Sequence, residues 1–470
     1  MQKYYLAVDI GASSGRHILG SMQDGRIELE EIYRFENGMV QRDGHRCWDT
    51  EHLFAEIKNG LRKCAEIGKI PESMGIDTWA VDYVLLDGQD RVLGPTYGYR
   101  DGRTEGMDEE VYKVIGLEEL YARTGIQKQI FNTIYQLMAV KKQEPENLEQ
   151  AKTFLMLPDY FHFLLTGNKV SEYTNATSTQ LVSPVTKQWD RELIAKLGYP
   201  EEIFLPLTMP GAVVGSFTPE IEQEVGFSCK VVLPATHDTA SAVMSVPTDS
   251  DECLYISSGT WSLMGVENSE AICSKASMDA NFTNEGGYEY RFRFLKNIMG
   301  LWMIQSVRHE LNDAYSFAQL CEMAEQEREF PSRVDVDDAC FLAPENMTQE
   351  IKEYCLRTGQ QIPESVGEIA TVIYQSLAEG YAKTVLQIES ITGRKYGAIN
   401  IVGGGSNAAY LNELTAQKSG RTVYAGPGEA TAIGNILAQM IKAGEFTSLK
   451  EARRCVFEAF GVKTYEPNGK

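Results

Sequence analysis

The chain has 470 residues, 43% hydrophobic and 10% aromatic, ordinary proportions for a globular protein and enough for two or three domains with cores of their own. A net charge of -22 leaves no basic surplus to neutralise a nucleic acid or an anionic membrane, although backbone N–H groups and a metal ion can still hold a small phosphate ligand. No stretch is long and apolar enough to span a membrane, the N-terminus does not read as a signal peptide, and nine scattered cysteines without a C-x-x-C pair read as reduced thiols, so the cytosol is the expected compartment.

Residues 4–10 are an apolar run with Asp9 near its end, followed by Gly11-Ala12-Ser13-Ser14-Gly15-Arg16. A strand, a tight glycine turn and a return strand through 17–20 are expected. The glycines allow close approach, the serines offer hydroxyls and Arg16 a charge, which suits a phosphate-binding hairpin as well as an ordinary turn. Asp9 could hold magnesium through water. No Walker loop occurs. The spacing His45, Cys47, Asp49, His52 resembles metal ligands, but W-D-T-E-H-L-F reads better as a helix start capped by Asp49 or Thr50, with an amphipathic helix over 51–67. Residues 74–86 read as a strand interrupted by Asp77 and Asp82, which must be hydrogen-bonded or line a polar cleft. Trp79 between them suits either a sugar face or the core. Residues 172–182, dense in hydroxyl and amide side chains, are expected to form a loop, pocket-lining or exposed.

The stretch K-V-V-L-P-A-T-H-D-T-A-S-A-V-M at 230–244 joins a short buried strand to a helix of small residues. Asp238 is either the N-cap of that helix or a carboxylate at the bottom of a cleft that takes a proton from a substrate hydroxyl. Pro247 to Asp251 is the expected boundary between domains 1–246 and 247–470. Past it, residues 253–266 repeat the strand, Ser/Gly turn, strand logic of the N-terminus, which suggests an internal duplication. A long amphipathic core helix follows at 365–393. After it, a strand over 396–401 leads into Gly403-Gly404-Gly405-Ser406-Asn407, where bare backbone can receive a flat or phosphorylated ligand. The strand 422–425 then runs through Gly426-Pro427-Gly428 into a helix packed by Ala430, Ala432 and Gly434.

The ordered set D-I-G-A-S-S-G-R (9–16), G-I-D-T-W-A-V-D (75–82), Y-R-D (99–101), Y-T-N-A-T-S-T-Q-L-V (173–182), H-D-T-A-S-A-V (237–243), Y-I-S-S-G-T-W-S-L-M-G (255–265), L-K-N-I-M-G-L-W (295–302), I-P-E-S (362–365) and I-V-G-G-G (401–405) resembles the FGGY family of carbohydrate kinases, within the actin/Hsp70/sugar-kinase superfamily. The resemblance covers nearly the whole chain. It implies an α/β fold of two ribonuclease-H-like (actin-like ATPase) domains facing each other across a central cleft, with the sugar mainly on the first and ATP mainly on the second. On this resemblance Ala12, Ser13, Ser14, Gly15 and Arg16 approach the terminal phosphate, and Thr260, Gln305 and Gly404 hold the rest of the nucleotide. Ala80, His237, Asp238, Thr239 and Asn297 line the sugar, with Asp238 as proton acceptor. Similar enzymes carry glycine where this chain has Ala80, so sugar preference is less determined than the reaction.

The implied reaction moves the γ-phosphoryl of ATP, with Mg2+, to the 1-hydroxyl of a ketose, L-rhamnulose first, with L-fuculose or a xylulose as alternatives. A non-catalytic ATP-binding switch is the reading from another class. The expected partners are the ketose and ATP, without nucleic acid or membrane, in a monomer or homodimer.

Overall fold

A computed structural model describes residues 2–250, 253–342 and 344–468. The chain forms two compact units. One gathers Met1–Ser245, Asn268–Phe294 and Thr431–Ala459; the other gathers Val246–Glu267, Leu295–Ala430 and Phe460–Lys470. The end of the first long segment thus falls beside residue 246, but two later segments, 268–294 and 431–459, return to the first unit. Asp251, the last residue of the expected boundary, lies outside the described residues.

The principal elements in chain order are β1 (Tyr5–Ile10), β2 (Ser14–Gln23), β3 (Arg26–Glu36), α1 (Thr50–Glu66), β4 (Ser73–Thr78), β5 (Tyr83–Leu86), β6 (Thr153–Met156), α2 (Leu157–Thr166), α3 (Tyr173–Thr177), β7 (Val213–Ser216), β8 (Lys230–Val232) and α4 (Asp238–Met244). They continue with β9 (Leu254–Ser258), β10 (Trp261–Asn268), β11 (Thr283–Gly286), β12 (Phe292–Met299), α5 (Trp302–Glu310), α6 (Val366–Thr392), β13 (Ala398–Val402), α7 (Ala409–Ser419), β14 (Thr422–Ala425), α8 (Ala430–Ala443), α9 (Leu449–Ala459) and β15 (Lys463–Tyr465).

The sheet of the first unit runs β7-β8-β4-β1-β2-β3. Its central strand β1 is buried at all six positions, as an apolar strand flanked on both sides requires. β1 pairs antiparallel with β2 and parallel with β4, in a register that sets Asp9 beside both Arg16 and Asp77. On one side α1 packs Leu53, Ile57, Leu61 and Cys64, at helical spacing, into a core with Leu6, Val8 and Ile76. Asp49 caps this helix by accepting from His52 N at 3.0 Å. The rest of that run forms no metal set among the described residues: His45 Nδ1 meets Asp101 Oδ1 at 3.0 Å and Cys47 is buried.

Six of the second sheet's seven strands run β12-β10-β9-β13-β14-β15, with β9 antiparallel to β10 and parallel to β13. Laid end to end with the first sheet, β9, β10 and β13 take the places of β1, β2 and β4, so the duplication expected from the two Ser/Gly turns is present in the topology. The long helix α6 opens on a capping box between Ser365 and Glu368 and ends at Gly393.

Three local expectations are corrected. The run 74–86 is not one strand: β4 ends at Thr78 and β5 pairs instead with β6 in a separate ribbon. Between them Val81 has φ +67°, and Asp82 N bonds Ala80 O at 2.9 Å, a tight turn at a conformation that a β-branched residue rarely adopts. Residues 172–182 are not a plain loop, since they open with the short helix α3, all five of whose residues are buried. Asp238 is not the N-cap of α4. His237, in extended conformation, holds that position and Asp238 is the first helical residue.

Candidate active site

The site in the first unit is built from the C-terminal ends of β1, β4 and β8. Thr78 N bonds Thr236 O at 2.9 Å, which brings the end of β4 against the loop leading into α4. That loop is fixed by Glu172, fully buried at the start of α3. Its carboxylate accepts from Thr174 N (2.7 Å), Thr174 Oγ1 (2.6 Å), Asn175 N (3.0 Å), Thr236 N (3.2 Å) and Thr236 Oγ1 (2.7 Å). Five donors on one buried carboxylate hold residues 236–238 in a single placement. From below, α8 packs so closely on α4 that a Cβ on Gly434 would stand 1.7 Å from Ser241 O, so only glycine fits there.

The carboxylate of Asp238 projects from this frame with about one-third of its side chain exposed. Its Oδ1 accepts from Thr239 N at 2.6 Å and Thr239 Oγ1 at 3.1 Å, and lies 3.5 Å from His237 Nε2. No described residue donates to Oδ2. The group therefore has one anchored oxygen and one available for a ligand. Burial pushes its pKa above the ordinary carboxylate value; His237 opposes the shift and the charge of Asp9 adds to it.

Beside it Asp9 and Asp77 sit side by side on parallel strands. Asp9 is bonded by Arg16 Nη2 at 2.6 Å. Asp77 is wholly buried and accepts from Asn435 Nδ2 at 2.6 Å, while its Oδ1 has no partner among the described residues. Burial first, then the charges of Asp9 and Asp238, drive Asp77 well above the usual carboxylate range, against the Asn435 amide. Three carboxyl groups crowding one another are a setting in which a divalent cation fits. Among the described residues no three His, Cys, Asp or Glu side chains form a ready metal-ligand set, so such an ion would take most of its ligands from elsewhere.

Gly11, Ala12 and Ser13 form the turn between β1 and β2, closed by Gly11 N to Ser14 O at 2.9 Å, whereas Ser14, Gly15 and Arg16 already belong to β2. Arg16 is thus tied to Asp9 through a strand rather than carried on a loop. A cavity of about 300 Å³ opens beside Ala12, lined also by Met39, Arg46, Trp48, Tyr99 and Arg100. Its aromatic wall is organised by Asp82, which accepts from Trp48 Nε1 (2.6 Å), Trp79 Nε1 (2.9 Å), Tyr99 N (3.1 Å) and Gln136 Nε2 (3.0 Å). Trp79 lies against Trp48, with ring centroids 4.0 Å apart and the planes tilted by 36°, and is almost wholly buried. Ala80 is partly exposed next to it, and Thr239 is buried behind Asp238.

Thr260, Asn297, Gln305 and Gly404 belong to the second unit. Thr260 lies exposed in the β9–β10 turn, and its Oγ1 donates to Gln305 Oε1 on α5 at 3.4 Å. Asn297 lies in β12, partly exposed. Gly404 begins the turn after β13 with open space around it, while a Cβ on its neighbour Gly405 would meet Ser258 Oγ at 1.9 Å. The glycine run therefore packs on the β9 turn from one side and leaves bare backbone on the other.

Four residues that the sequence reading did not single out complete the first unit's site. Glu172 was hidden in a stretch read as loop; Glu285 and Arg293 contact His237; Asn435 caps Asp77 from α8. A charged residue embedded in a run of buried type, as in F-R-F for Arg293, was the available signal.

Comparison with known proteins agrees with this architecture. Residues 4–245 match the family model of the FGGY family of carbohydrate kinases, N-terminal domain, and residues 254–443 that of the C-terminal domain. A protein of Halalkalibacterium halodurans named rhamnulokinase is 54% identical over 98% of each chain. One of Bacillus subtilis with the same name is 45% identical over 98% of this chain and 95% of that one. Among solved structures, a gluconate kinase and a ligand-bound xylulose kinase, both of Lactobacillus acidophilus, superpose with TM-scores of 0.77 at 18% and 17% identity. They cover 100% and 99% of this chain and 94% of each of theirs, a likeness of fold alone. The two mixed α/β units, their repeated sheets and the matches at both halves together show that this chain belongs to the FGGY family of carbohydrate kinases.

Proposed function

We propose that the protein transfers the γ-phosphoryl group of ATP to the 1-hydroxyl of L-rhamnulose, giving L-rhamnulose 1-phosphate and ADP. The observation that carries the chemistry is Asp238, a carboxylate about one-third exposed, with one oxygen anchored and the other free, at the head of a helix locked from two sides. The sugar assignment rests on the printed name shared by relatives 42–54% identical over nearly the full chain.

Phosphoryl transfer has a loose transition state, so positioning and charge neutralisation matter more than a strong base. Asp238 Oδ2 takes the proton of the sugar hydroxyl as its oxygen attacks the γ-phosphorus. Thr239 and His237 keep the carboxylate turned for this, and Ala80 and Asn297 bound the sugar. The turn at Ala12 and Ser13, with Ser14, Gly15 and Arg16, faces the terminal phosphate; Thr260, Gln305 and Gly404 hold the remainder of the nucleotide. Magnesium, when bound, supplies positive charge to the phosphate oxygens, and Asp9, through water, and Asp77 are the residues that would hold it. The sugar lies mainly on the 1–246 part and the nucleotide mainly on the 247–470 part. The cytosol is the matching compartment, since all nine cysteines are free thiols and no helix among the described residues is long and apolar enough to cross a membrane.

The test is ADP release measured with L-rhamnulose, L-fuculose, D-xylulose and no sugar. The proposal expects the highest kcat/KM on L-rhamnulose and little turnover without sugar. A faster reaction on another ketose overturns the substrate, and sugar-independent ATP turnover overturns the reaction.

A further inference from the structure

Behind Asp238 lies a buried chain of polar groups. Arg293, at the start of β12, is wholly buried. Its Nε donates to Gly286 O at 3.0 Å, and its Nη2 lies 3.0 Å from His237 Nδ1 and 3.0 Å from Glu285 Oε2. His237 Nδ1 is also 3.3 Å from Glu285 Oε2, and its Nε2 is 3.5 Å from Asp238 Oδ1.

A guanidinium has five N–H donors and no acceptor. A ring nitrogen that meets it must offer its lone pair, so Nδ1 accepts and the hydrogen of a neutral imidazole is on Nε2. Glu285 alone would select the reverse, because an acceptor-only carboxylate draws a hydrogen onto Nδ1. Arg293 stands closer to Nδ1 than Glu285 does and binds Glu285 as well. Burial would raise the pKa of Glu285, but the charge of Arg293 leads in holding it down to about 2, so the carboxylate is there to anchor the guanidinium.

We infer that Arg293, anchored by Glu285 and Gly286 O, is a positioning residue that fixes His237 with its hydrogen on Nε2, so that a donor faces Asp238 and the substrate oxygens beside it. The opposite tautomer would turn a lone pair towards the Asp238 carboxylate and loosen it. With Nε2–H and both Thr239 donors converging on Oδ1, Oδ2 is the oxygen left for the hydroxyl. The kinetic consequence rests on the proposed kinase reaction; the tautomer does not.

The test is a two-bond 15N–1H correlation spectrum of the full chain labelled at histidine, near neutral pH, with His237 identified by its loss in His237→Asn. Wild type is expected to give the Nε2–H pattern and Arg293→Met the Nδ1–H pattern. In turnover, Arg293→Met is expected to lower kcat about 100-fold with the KM for ATP unchanged, and Arg293→Lys, which keeps a donor, to recover most of the loss. An Nδ1–H or doubly protonated His237 in wild type overturns the inference, as does wild-type kcat in Arg293→Met. If Arg293→Met does not fold, the wild-type spectrum decides. An Nε2–H spectrum from a protein that phosphorylates no ketose supports the inference while removing the proposed reaction.

Discussion

The central strands of the two sheets pair with their neighbours in the same directions but carry opposite chemistry where they end. In the first unit the parallel register sets Asp9 beside Asp77; at the equivalent place in the second it sets Ser257 beside Val402. Both central hairpins close on a glycine N–H, Gly11 to Ser14 O and Gly259 to Trp261 O, each at 2.9 Å. One frame thus carries crowded carboxyl groups and the other hydroxyls, glycines and exposed backbone. The lesson is that the fold provides the strand-end positions while a few side chains decide what they do. Carboxylates suit proton transfer and a cation; neutral N–H-rich backbone suits a polyanion.

The largest effect belongs to the charge at the head of α4. Asp238→Asn is expected to lower kcat by about 10²–10⁴-fold while ADP binding, followed by calorimetry, stays within about twofold. A second change strikes the support beneath it. Gly434→Ala forces a methyl into Ser241 O and is expected to cost about 3 kcal/mol in urea denaturation, the upper end for overpacking, while alanine at exposed Gly428 in the turn before α8 changes little. Copying the first unit's charge into the second should break the comparison: Ser257→Asp is expected to raise the KM for ATP about tenfold through like-charge repulsion, with the ketose KM unmoved.

The smallest effect sharpens it. Because the folded pKa of Asp77 is raised, the group costs stability at neutral pH, and the cost disappears below the unfolded carboxyl value near 4. Asp77→Asn keeps an acceptor for Asn435 and offers an amide towards Asp9, so it should gain about 1 kcal/mol at pH 7 and nothing at pH 4. Equal stability of the two proteins at pH 7 would remove the argument. The same sign rules catalysis: a base with a raised pKa must be ionised, so kcat should fall on the acid side at a pH above the ordinary aspartate value.

Much of this was legible in the sequence. The strands at 4–10 and 422–425, the strand–turn–strand at 253–266, the cap at Asp49 and the long helix at 365–393 came from local pattern, and the family from the order of short motifs. What escaped depends on distant partners. The break after Thr78 comes from a turn at Val81 held by Ser178 and Thr133, residues far along the chain. Residues 172–182 read as a loop because their hydroxyls suggest exposure, yet Glu172 gathers them into a buried helix. Asp238 is one place inside its helix because His237 takes the extended cap position, a backbone choice that the residue types alone leave open. Arg293 and Glu285 reach His237 from more than forty residues away, and Asn435 reaches Asp77 across most of the chain.

The central claim is that the free oxygen of Asp238 receives the sugar's proton. The direct measurement is a crystal structure with L-rhamnulose and a non-hydrolysable ATP analogue. The account predicts Asp238 Oδ2 at about 2.6–3.2 Å from the 1-hydroxyl oxygen, with Oδ1 still on Thr239. A ketose bound with its hydroxyls turned to other groups, and Asp238 bonded only to Thr239 and His237, would contradict it.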